Sequence, residues 1–246
     1  SIDNGRGRLL QTGTSAWTLG TNGTLDNSGG TIATNGSDLT VHGARVVNNG
    51  GSIQLAGNGL LDVKADQDID NRQGTLAGNG ATRVTAVTGI ANDGGLINAH
   101  GNTTVAAASL SNTANGAISG NTLGATITNG VNNTGGLLQA TAGDLSLTAA
   151  SLANAGGTIQ SALGAVTLGV GGTLDNGSGT IAAGTLAKLN ATRVNNAGVI
   201  SGGQLNVQAT DTLTNTGGHL QSRGAIDLRA TNGLNNNAGS IEANGA

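Results

Sequence analysis

The densest group of residues that could do chemistry is a run of four aspartates, Asp62, Asp66, Asp68 and Asp70. Carboxylate oxygens are the ligands that Ca²⁺ prefers in proteins, so this run is a candidate calcium site. Arg72 lies beside it, however, and the alternate spacing of Asp66, Asp68 and Asp70 also suits the solvent-facing side of a β-strand. We favour the second interpretation and predict no metal ion here.

Two other kinds of reactive site can be judged from residue types. The histidines, His42, His100 and His219, lie at different places in the repeat described below, and the chain has no cysteine, so a zinc site is not expected. An enzyme that cleaves polysaccharides needs carboxylates grouped with basic residues. From Val84 to Ala187 the chain contains no Lys or Arg. We therefore predict neither catalysis nor a cofactor.

The composition narrows the function classes further. The chain has 246 residues, of which 9% are charged, and its formal net charge is −3. Nucleic-acid binding requires a basic surface, so no nucleic acid is expected as a partner. No apolar stretch approaches the roughly 18 residues of a membrane span. With no Phe, Tyr or Met and a single Trp17, the interior must be filled by Leu, Ile, Val and Ala.

A repeat supplies these aliphatic residues. An aliphatic residue, Asn, Gly-Gly or a near variant, and another aliphatic residue recur at a spacing of about 21, which is typical of a solenoid. The repeat covers residues 1–246 as a single array, and because the chain begins in mid-repeat we expect it to be a fragment of a longer protein. The asparagines that mark the twelve copies are Asn4, Asn27, Asn48, Asn71, Asn92, Asn112, Asn133, Asn154, Asn176, Asn195, Asn215 and Asn236.

The pattern inside each copy predicts β-structure. Apolar residues alternate at period 2, as in Leu39-Thr-Val41, which places them on one face of a strand, and pairs of Gly and Asn turn the chain between such stretches. We expect one strand around the Asn and the aliphatic residue after Gly-Gly, a second in the L-x-V element, and a third where the chain enters the next copy. One copy is then one coil of an all-β parallel β-helix. Twelve coils give a rod roughly 55 to 60 Å long.

Stacking would bring equivalent side chains of successive coils into columns. Aliphatic residues before the Asn and after the Gly-Gly would fill the interior, and the recurring Asn would stack at one corner. Stacked amides can hydrogen-bond along the axis and satisfy turn backbone, which is the role we favour. The alternative is a row of Asn that forms a ligand surface. The copy from Val194 to Ile200 is one residue shorter than the others.

The repeat resembles that of a known family. The phrases Thr24-Leu-Asp-Asn-Ser-Gly-Gly-Thr-Ile32 and Leu213-Thr-Asn-Thr-Gly-Gly-His-Leu220 look like the haemagglutinin repeats of filamentous haemagglutinin and of related exoproteins of the two-partner secretion pathway. The resemblance covers the whole chain. It implies a right-handed rod, a hand that parallel crossovers also favour. It further implies export through an outer-membrane two-partner secretion transporter and a final location outside the cell or on the bacterial surface.

The resemblance also sets the expected function. We expect a structural shaft and adhesin segment that attaches the bacterium to host cells or neighbouring cells. Two alternatives stay open: the stalk of a contact-dependent inhibition exoprotein that presents a toxin, and a glycan-binding or polysaccharide-processing β-helix. If host cell-surface glycans or receptors bind the rod, the candidate residues lie where positive charge is densest, at Arg6, Arg8, Arg45, Arg72 and Arg83.

Overall fold

A computed structural model gives the fold and describes residues 1–245. In that range the chain forms 33 β-strands and no helix, so no helix there is long and apolar enough to cross a membrane. Every strand pairing is parallel, and the partners of each strand belong to the coils before and after it. The predicted class is confirmed: the chain is a parallel β-solenoid of about twelve turns of roughly 21 residues.

Each coil crosses three faces of the rod. The first face contains β1 (Ile2–Asp3), β4 (Thr24–Asp26), β7 (Arg45–Val47), β10 (Asp68–Asp70), β13 (Gly89–Ala91), β16 (Ser109–Ser111), β19 (Gly130–Asn132), β22 (Ser151–Ala153), β29 (Thr212–Thr214) and β32 (Gly233–Asn235). The second contains β2 (Arg8–Gln11), β5 (Thr31–Thr34), β8 (Ser52–Leu55), β11 (Thr75–Gly78), β14 (Leu96–Ala99), β17 (Ala117–Gly120), β20 (Leu137–Ala140), β23 (Thr158–Ser161), β25 (Thr180–Ala183), β27 (Val199–Gly202), β30 (His219–Ser222) and β33 (Ser240–Ala243).

The third face contains β3 (Trp17–Gly20), β6 (Leu39–Gly43), β9 (Leu60–Ala65), β12 (Ala81–Ala86), β15 (Thr103–Ala107), β18 (Leu123–Ile127), β21 (Leu145–Ala149), β28 (Gln204–Ala209) and β31 (Ile226–Ala230). Two longer strands, β24 (Val166–Asn176) and β26 (Leu186–Asn196), run from the third face onto the first. They join those two faces into one sheet, while the second face forms a separate sheet of twelve strands.

The strand division differs from the prediction in one respect. A single strand around the Asn and the aliphatic residue after Gly-Gly is wrong, because a turn separates two strands there: β4 ends at Asp26 and β5 begins at Thr31. The strand predicted where the chain enters the next copy is the short first-face strand, such as β7 just before Asn48. The element from Leu123 to Ile127, which lacks a clean L-x-V phrase, is nevertheless the regular strand β18, with Ala125 buried between two larger residues.

Aliphatic columns fill the interior as predicted. Leu25 pairs in register with Val46, and Val46 with Ile69, and their exposed fractions are 0%, 0% and 1%. A second column on the second face contains Ile32 and Ile53 in register. Each fully buried aliphatic side chain contributes about 1.5 to 3 kcal/mol. Because equivalent residues contact each other only between coils, this burial stabilises the stack and not a single coil.

The two glycines of the Gly-Gly phrase have different reasons to be there. The first occupies the third position of a β-turn in which Gly30 N donates to Asn27 O at 2.9 Å, and Gly29 there has a φ of 61°. A positive φ at that position alone is the type II pattern, and it also occurs without glycine, at Arg6 and Gln73.

The second glycine has a steric reason. A Cβ on Gly30 would overlap the backbone carbonyl oxygen of Asn4 in the previous coil, and a Cβ on Gly51 would overlap that of Asn27. At the position of the second glycine the coils approach too closely for any side chain. This contact explains why the second glycine recurs in every copy while the first is replaceable.

Candidate functional site

The stacked asparagines form one continuous chain of hydrogen bonds. Each side-chain Nδ2 donates to Oδ1 of the Asn in the next coil at 2.6–2.8 Å, which gives eleven bonds among twelve asparagines. Asn27 shows the full set, because its Nδ2 also lies 3.2 Å from Gly30 O and 3.1 Å from Ser52 O. The amide therefore ties its own turn to the next coil.

The prediction from the sequence is wrong for one member of the Asn chain. Asn196 and not Asn195 takes the position, since Asn176 Nδ2 donates to Asn196 Oδ1 at 2.8 Å and Asn196 Nδ2 donates to Asn215 Oδ1 at 2.7 Å. Asn196 is 2% exposed, whereas Asn195 points outward. This copy is one residue shorter because its turn is shorter: only Ala197 lies between Asn196 and Gly198, whereas other copies have two residues there. The signal was available, because the buried Asn always follows the column aliphatic by two residues, as Asn196 follows Val194.

Burial limits what the Asn chain can do chemically. From Asn4 to Asn215 its members are at most 7% exposed, and their donors and acceptors are engaged with one another and with turn carbonyls. A ligand could reach these amides only by opening the corner. The geometry fits the task of holding successive coils in register.

The aspartates of the run contact arginine and histidine side chains. Arg83 donates to both carboxylate oxygens of Asp62 at 2.9 and 2.6 Å, and Arg45 donates to both of Asp68 at 2.8 Å. Asp66 lies 3.2 Å from His42 Nε2. In residues 1–245 no three His, Cys, Asp or Glu side chains group closely enough to hold a metal ion. Asp62, Asp66 and Asp68 each contact a side chain of a neighbouring coil, so these carboxylates do not converge on one point.

Asp70 is held by the turn that follows it. Arg72 donates to its two carboxylate oxygens at 2.9 and 2.6 Å, and this contact lowers the pKa of the Asp70 carboxyl against the opposing effect of partial burial. The same pair raises the pKa of Arg72, and Asp68 does the same for Arg45. The arginine of each pair is exposed, so solvent screens the attraction between the charges.

A polar cluster beside the aspartate run was not predicted from the sequence. Burial alone would raise the pKa of Asp93, but hydrogen bonds from Ser111 Oγ and from the backbone and hydroxyl of Thr113 bring it below the usual value, helped by Arg72. Ser111 and Thr113 lie about one coil after Asp93, so the carboxylate links two coils. A spacing near one repeat between an acid and two hydroxyls was the only signal.

The five candidate glycan-binding arginines do not form one surface. Arg45 and Arg72 lie on and beside the first face, Arg8 lies on the second face and Arg83 on the third, while Arg6 occupies the first turn. Three of them, Arg45, Arg72 and Arg83, are also paired with aspartate. Within residues 1–245, these five arginines therefore do not form a single basic patch. The histidines are likewise separate, and His219 Nδ1 lies 2.7 Å from Ser240 Oγ.

A long shallow groove follows the first face along the rod axis. Its volume is about 800 Å³, and its middle is lined by small outward residues such as Gly89, Ala91, Ser109, Gly130 and Ser151. Arg45 and Arg72 close one end, and Asp175 lies at the other. The groove exists because the outward side chains of these coils are short.

Comparisons with known proteins agree with the repeat. Residues 2–73 match the family model Fil_haemagg, described as the haemagglutinin repeat. A comparison with curated proteins and one with solved structures each found no match. The matched residues span the first three coils and enter the fourth, including the Thr24 to Ile32 phrase that first carried the resemblance. Over residues 2–73 the chain therefore carries the haemagglutinin repeat, in agreement with its resemblance to the filamentous haemagglutinin family.

Proposed function

We propose that this chain is the shaft and adhesin segment of a bacterial filamentous haemagglutinin-like protein, secreted or attached to the cell surface. It forms an elongated shaft and mediates attachment to host cells or neighbouring cells. The observation that carries the proposal is the unbroken Asn chain, which ties every coil to its neighbours over the whole rod. The haemagglutinin repeat at residues 2–73 supports it, because that family is one of structural and adhesive proteins.

The proposal includes two kinds of partner. During export the chain would pass through an outer-membrane two-partner secretion transporter. In its folded state it would meet glycans or receptors on other cells. The scattered arginines favour attachment through several weak contacts along the rod over attachment at one basic patch, since no face collects more than two of the five candidates.

Three deletions of one coil each would test the shaft role. They remove residues 27–47, 92–111 or 133–153, and each begins at an Asn of the chain and ends just before the next one. Removing residues 27–47 joins Asp26 to Asn48, so the two halves keep their register. Each deletion shortens the rod by about 4.8 Å, one strand spacing.

The readout is attachment to host cells by beads that carry the full chain or one deletion variant. A shaft that attaches through several weak contacts along its length predicts that the full chain attaches and that the three deletions reduce attachment slightly and equally. Loss of attachment in one deletion only would assign binding to that coil and contradict attachment distributed along the shaft. No attachment by the full chain would contradict the adhesive role. Circular dichroism of each variant confirms that it is folded.

A further inference from the structure

One corner turn of the rod is longer than the turns stacked on either side of it. It joins the second face to the third, between β8 and β9, and its ends are fixed because Leu55 and Leu61 each pair in register with both neighbouring coils. Residues 56–60 lie between these ends, whereas the same path takes residues 35–38 in the previous coil and residues 79–81 in the next. The turn of residues 56–60 is therefore longer than the stacking of coils requires.

The middle of this turn contains the pair Asn58-Gly59. In such a pair the backbone nitrogen of the glycine can attack Cγ of the asparagine side chain, and the absence of a Cβ on glycine leaves the approach open. The attack closes a succinimide ring and releases ammonia. It requires a side chain that is free to turn toward the next residue and a peptide group that hydrogen bonds do not hold in place.

Asn58 meets both requirements. Its side chain is exposed, and it makes no hydrogen bond to any of residues 1–245. Within the same range the carbonyl oxygen of Asn58 accepts no hydrogen bond and the backbone nitrogen of Gly59 donates none. The next amide differs, since Leu60 N donates to Asp38 Oδ1 at 2.8 Å. The peptide group between Asn58 and Gly59 is therefore restrained on neither side by a hydrogen bond from the described residues.

Most other Asn-Gly pairs of the chain are restrained at the glycine nitrogen. Residues 1–243 contain nine such pairs besides Asn58-Gly59. In six of them the glycine N–H donates to an oxygen, as Gly36 N does to Thr34 Oγ1 at 2.8 Å. These six glycines are Gly5, Gly23, Gly36, Gly50, Gly116 and Gly177. Two of the preceding asparagines, Asn4 and Asn176, are also held by their side chains as members of the Asn chain.

The remaining three pairs are restrained at the asparagine. The side-chain Nδ2 of Asn79 donates to Ala56 O at 2.8 Å, and that of Asn232 donates to Asp211 Oδ1 at 2.9 Å. The backbone carbonyl oxygen of Asn129 accepts hydrogen bonds from two amides of the next coil, at 2.6 and 3.2 Å. Each of these bonds must break before the succinimide ring can close. Within residues 1–243, Asn58 alone among the Asn-Gly pairs has none of these restraints.

We propose that Asn58 is a site of spontaneous covalent modification, at which the folded chain converts this residue to aspartate and isoaspartate without an enzyme. Gly59 N loses its proton to hydroxide and bonds to Asn58 Cγ, and the bond from Cγ to Nδ2 breaks as ammonia leaves. Water then opens the ring at either carbonyl. The balance is one amide and one water consumed, with one carboxylate and one ammonium ion formed.

The modification changes the rod at one defined corner. It adds a negative charge, and the isoaspartate form also adds one carbon to the backbone of the turn at residues 56–60. The Asn chain lies at a different corner, between the first face and the second, so its hydrogen bonds remain intact. This proposal goes beyond the shaft and adhesin role and does not depend on it.

The test follows each Asn-Gly pair of the full chain over time in mildly alkaline buffer. Peptide mapping by mass spectrometry separates the asparagine, aspartate and isoaspartate forms. Asn58 should convert fastest, and Asn35 about 2- to 12-fold more slowly, the factor that corresponds to one net internal hydrogen bond. In urea, where the fold is lost, Asn58 and Asn35 should convert at nearly equal rates. Conversion of any of the other nine pairs as fast as Asn58 in the folded chain, or the same order of rates in urea, would overturn the proposal.

Two variants test the cause. Thr34→Val removes the hydroxyl that accepts from Gly36 N and should speed conversion of Asn35 by about 2- to 12-fold. Thr34 pairs in register with Leu55, so an apolar side chain fits this position. Asn58→Gln should remove the acidic form that the wild type accumulates on isoelectric focusing, because the larger ring from glutamine closes far more slowly. An unchanged rate at Asn35 in the first variant, or an acidic form that appears as fast in the second, would refute the assignment. Circular dichroism checks that both variants fold.

Discussion

The strongest test of the Asn chain is Asn133→Ala, in the middle of the rod. Asn133 Oδ1 accepts from Asn112 Nδ2 at 2.8 Å, and its Nδ2 lies 2.7 Å from Asn154 Oδ1, 3.2 Å from Gly136 O and 3.3 Å from Thr158 O. The substitution removes all four contacts. It also leaves Asn154 Oδ1 buried without its donor and deprives the Asn112 amide of one acceptor.

The expected loss follows from these contacts. A typical internal hydrogen bond contributes about 0.5 to 1.5 kcal/mol net, the two long contacts lie at the low end, and a buried group left unsatisfied adds its desolvation cost. We expect Asn133→Ala to lower the free energy of unfolding by about 3 to 5 kcal/mol. The adjacent Asn132→Ala is the control, because Asn132 points outward and accepts only from Thr134 N at 3.1 Å. Its loss should be below about 1 kcal/mol.

Urea unfolding followed by far-ultraviolet circular dichroism measures both variants. Amide hydrogen exchange adds a local readout, since a solenoid can open near one weakened coil without unfolding elsewhere. Faster exchange should be centred on the coils of Asn112, Asn133 and Asn154. If Asn133→Ala and Asn132→Ala cost the same amount within error, the amide chain contributes nothing beyond an ordinary surface turn and the reasoning fails.

Three further predictions concern single positions. Asn196→Ala should cost several kcal/mol, about as much as any buried member of the Asn chain, and Asn195→Ala less than about 0.5 kcal/mol; equal unfolding midpoints in urea would contradict the placement of Asn196 in the Asn chain. Gly136→Ala should cost about 3 kcal/mol, because its Cβ would overlap a backbone carbonyl oxygen of the previous coil. Gly135→Ala should cost only about 1 kcal/mol, because Gly135 has a φ of 64° but a Cβ there would have no atom within 4 Å. Thermal unfolding of the two variants measures this order, and the reverse order would contradict the steric reason. The pKa of Asp93 is lower in the folded state than in the unfolded state, so its contribution is present above about pH 4 and lost as the pH falls through the folded pKa. Asp93→Asn should therefore be less stable than the wild type near pH 7, and the difference should shrink as the pH falls below about 4. A difference that does not shrink in acid would disagree with that cause.

The sequence contains most of the fold because the fold is one-dimensional. A coil contacts mainly the coils before and after it, so a period near one turn defines strand neighbours without any knowledge of distant contacts. Alternation then decides which side chains point inward, as for Leu39 and Val41, both 0% exposed. Alternation alone does not separate the Asn from the next aliphatic residue, so the prediction of one strand there omits the turn between Asp26 and Thr31.

The position of the buried Asn in each copy is predictable from the alternation of inward and outward residues that starts at the interior aliphatic residue. The short copy contains two adjacent asparagines, and only the count of two residues from the preceding aliphatic residue distinguishes Asn196 from Asn195. The same count places Val194 in the interior column, where it pairs with Leu213.

The surface could not be predicted in the same way. Outward side chains do not repeat. The repeat places Arg8, Arg45 and Arg83 in three different elements of the coil, but it does not show that Arg45 and Arg83 pair with aspartates of neighbouring coils. Nor does it show that a Cβ on Gly30 would overlap a carbonyl oxygen, because that depends on the atoms of the previous coil. Chemistry on a solenoid surface depends on these contacts between coils, and they come only with coordinates.

The direction of the hydrogen bonds between coils has a mechanical consequence. Strand neighbours are spaced along the rod axis, so a pull on the two chain ends opens the terminal coil one bond at a time instead of shearing many bonds together. Each released coil of about 21 residues can extend by roughly 70 Å, which would appear under force as a series of equal steps. Under tension a rod of this kind would lengthen by releasing one coil after another.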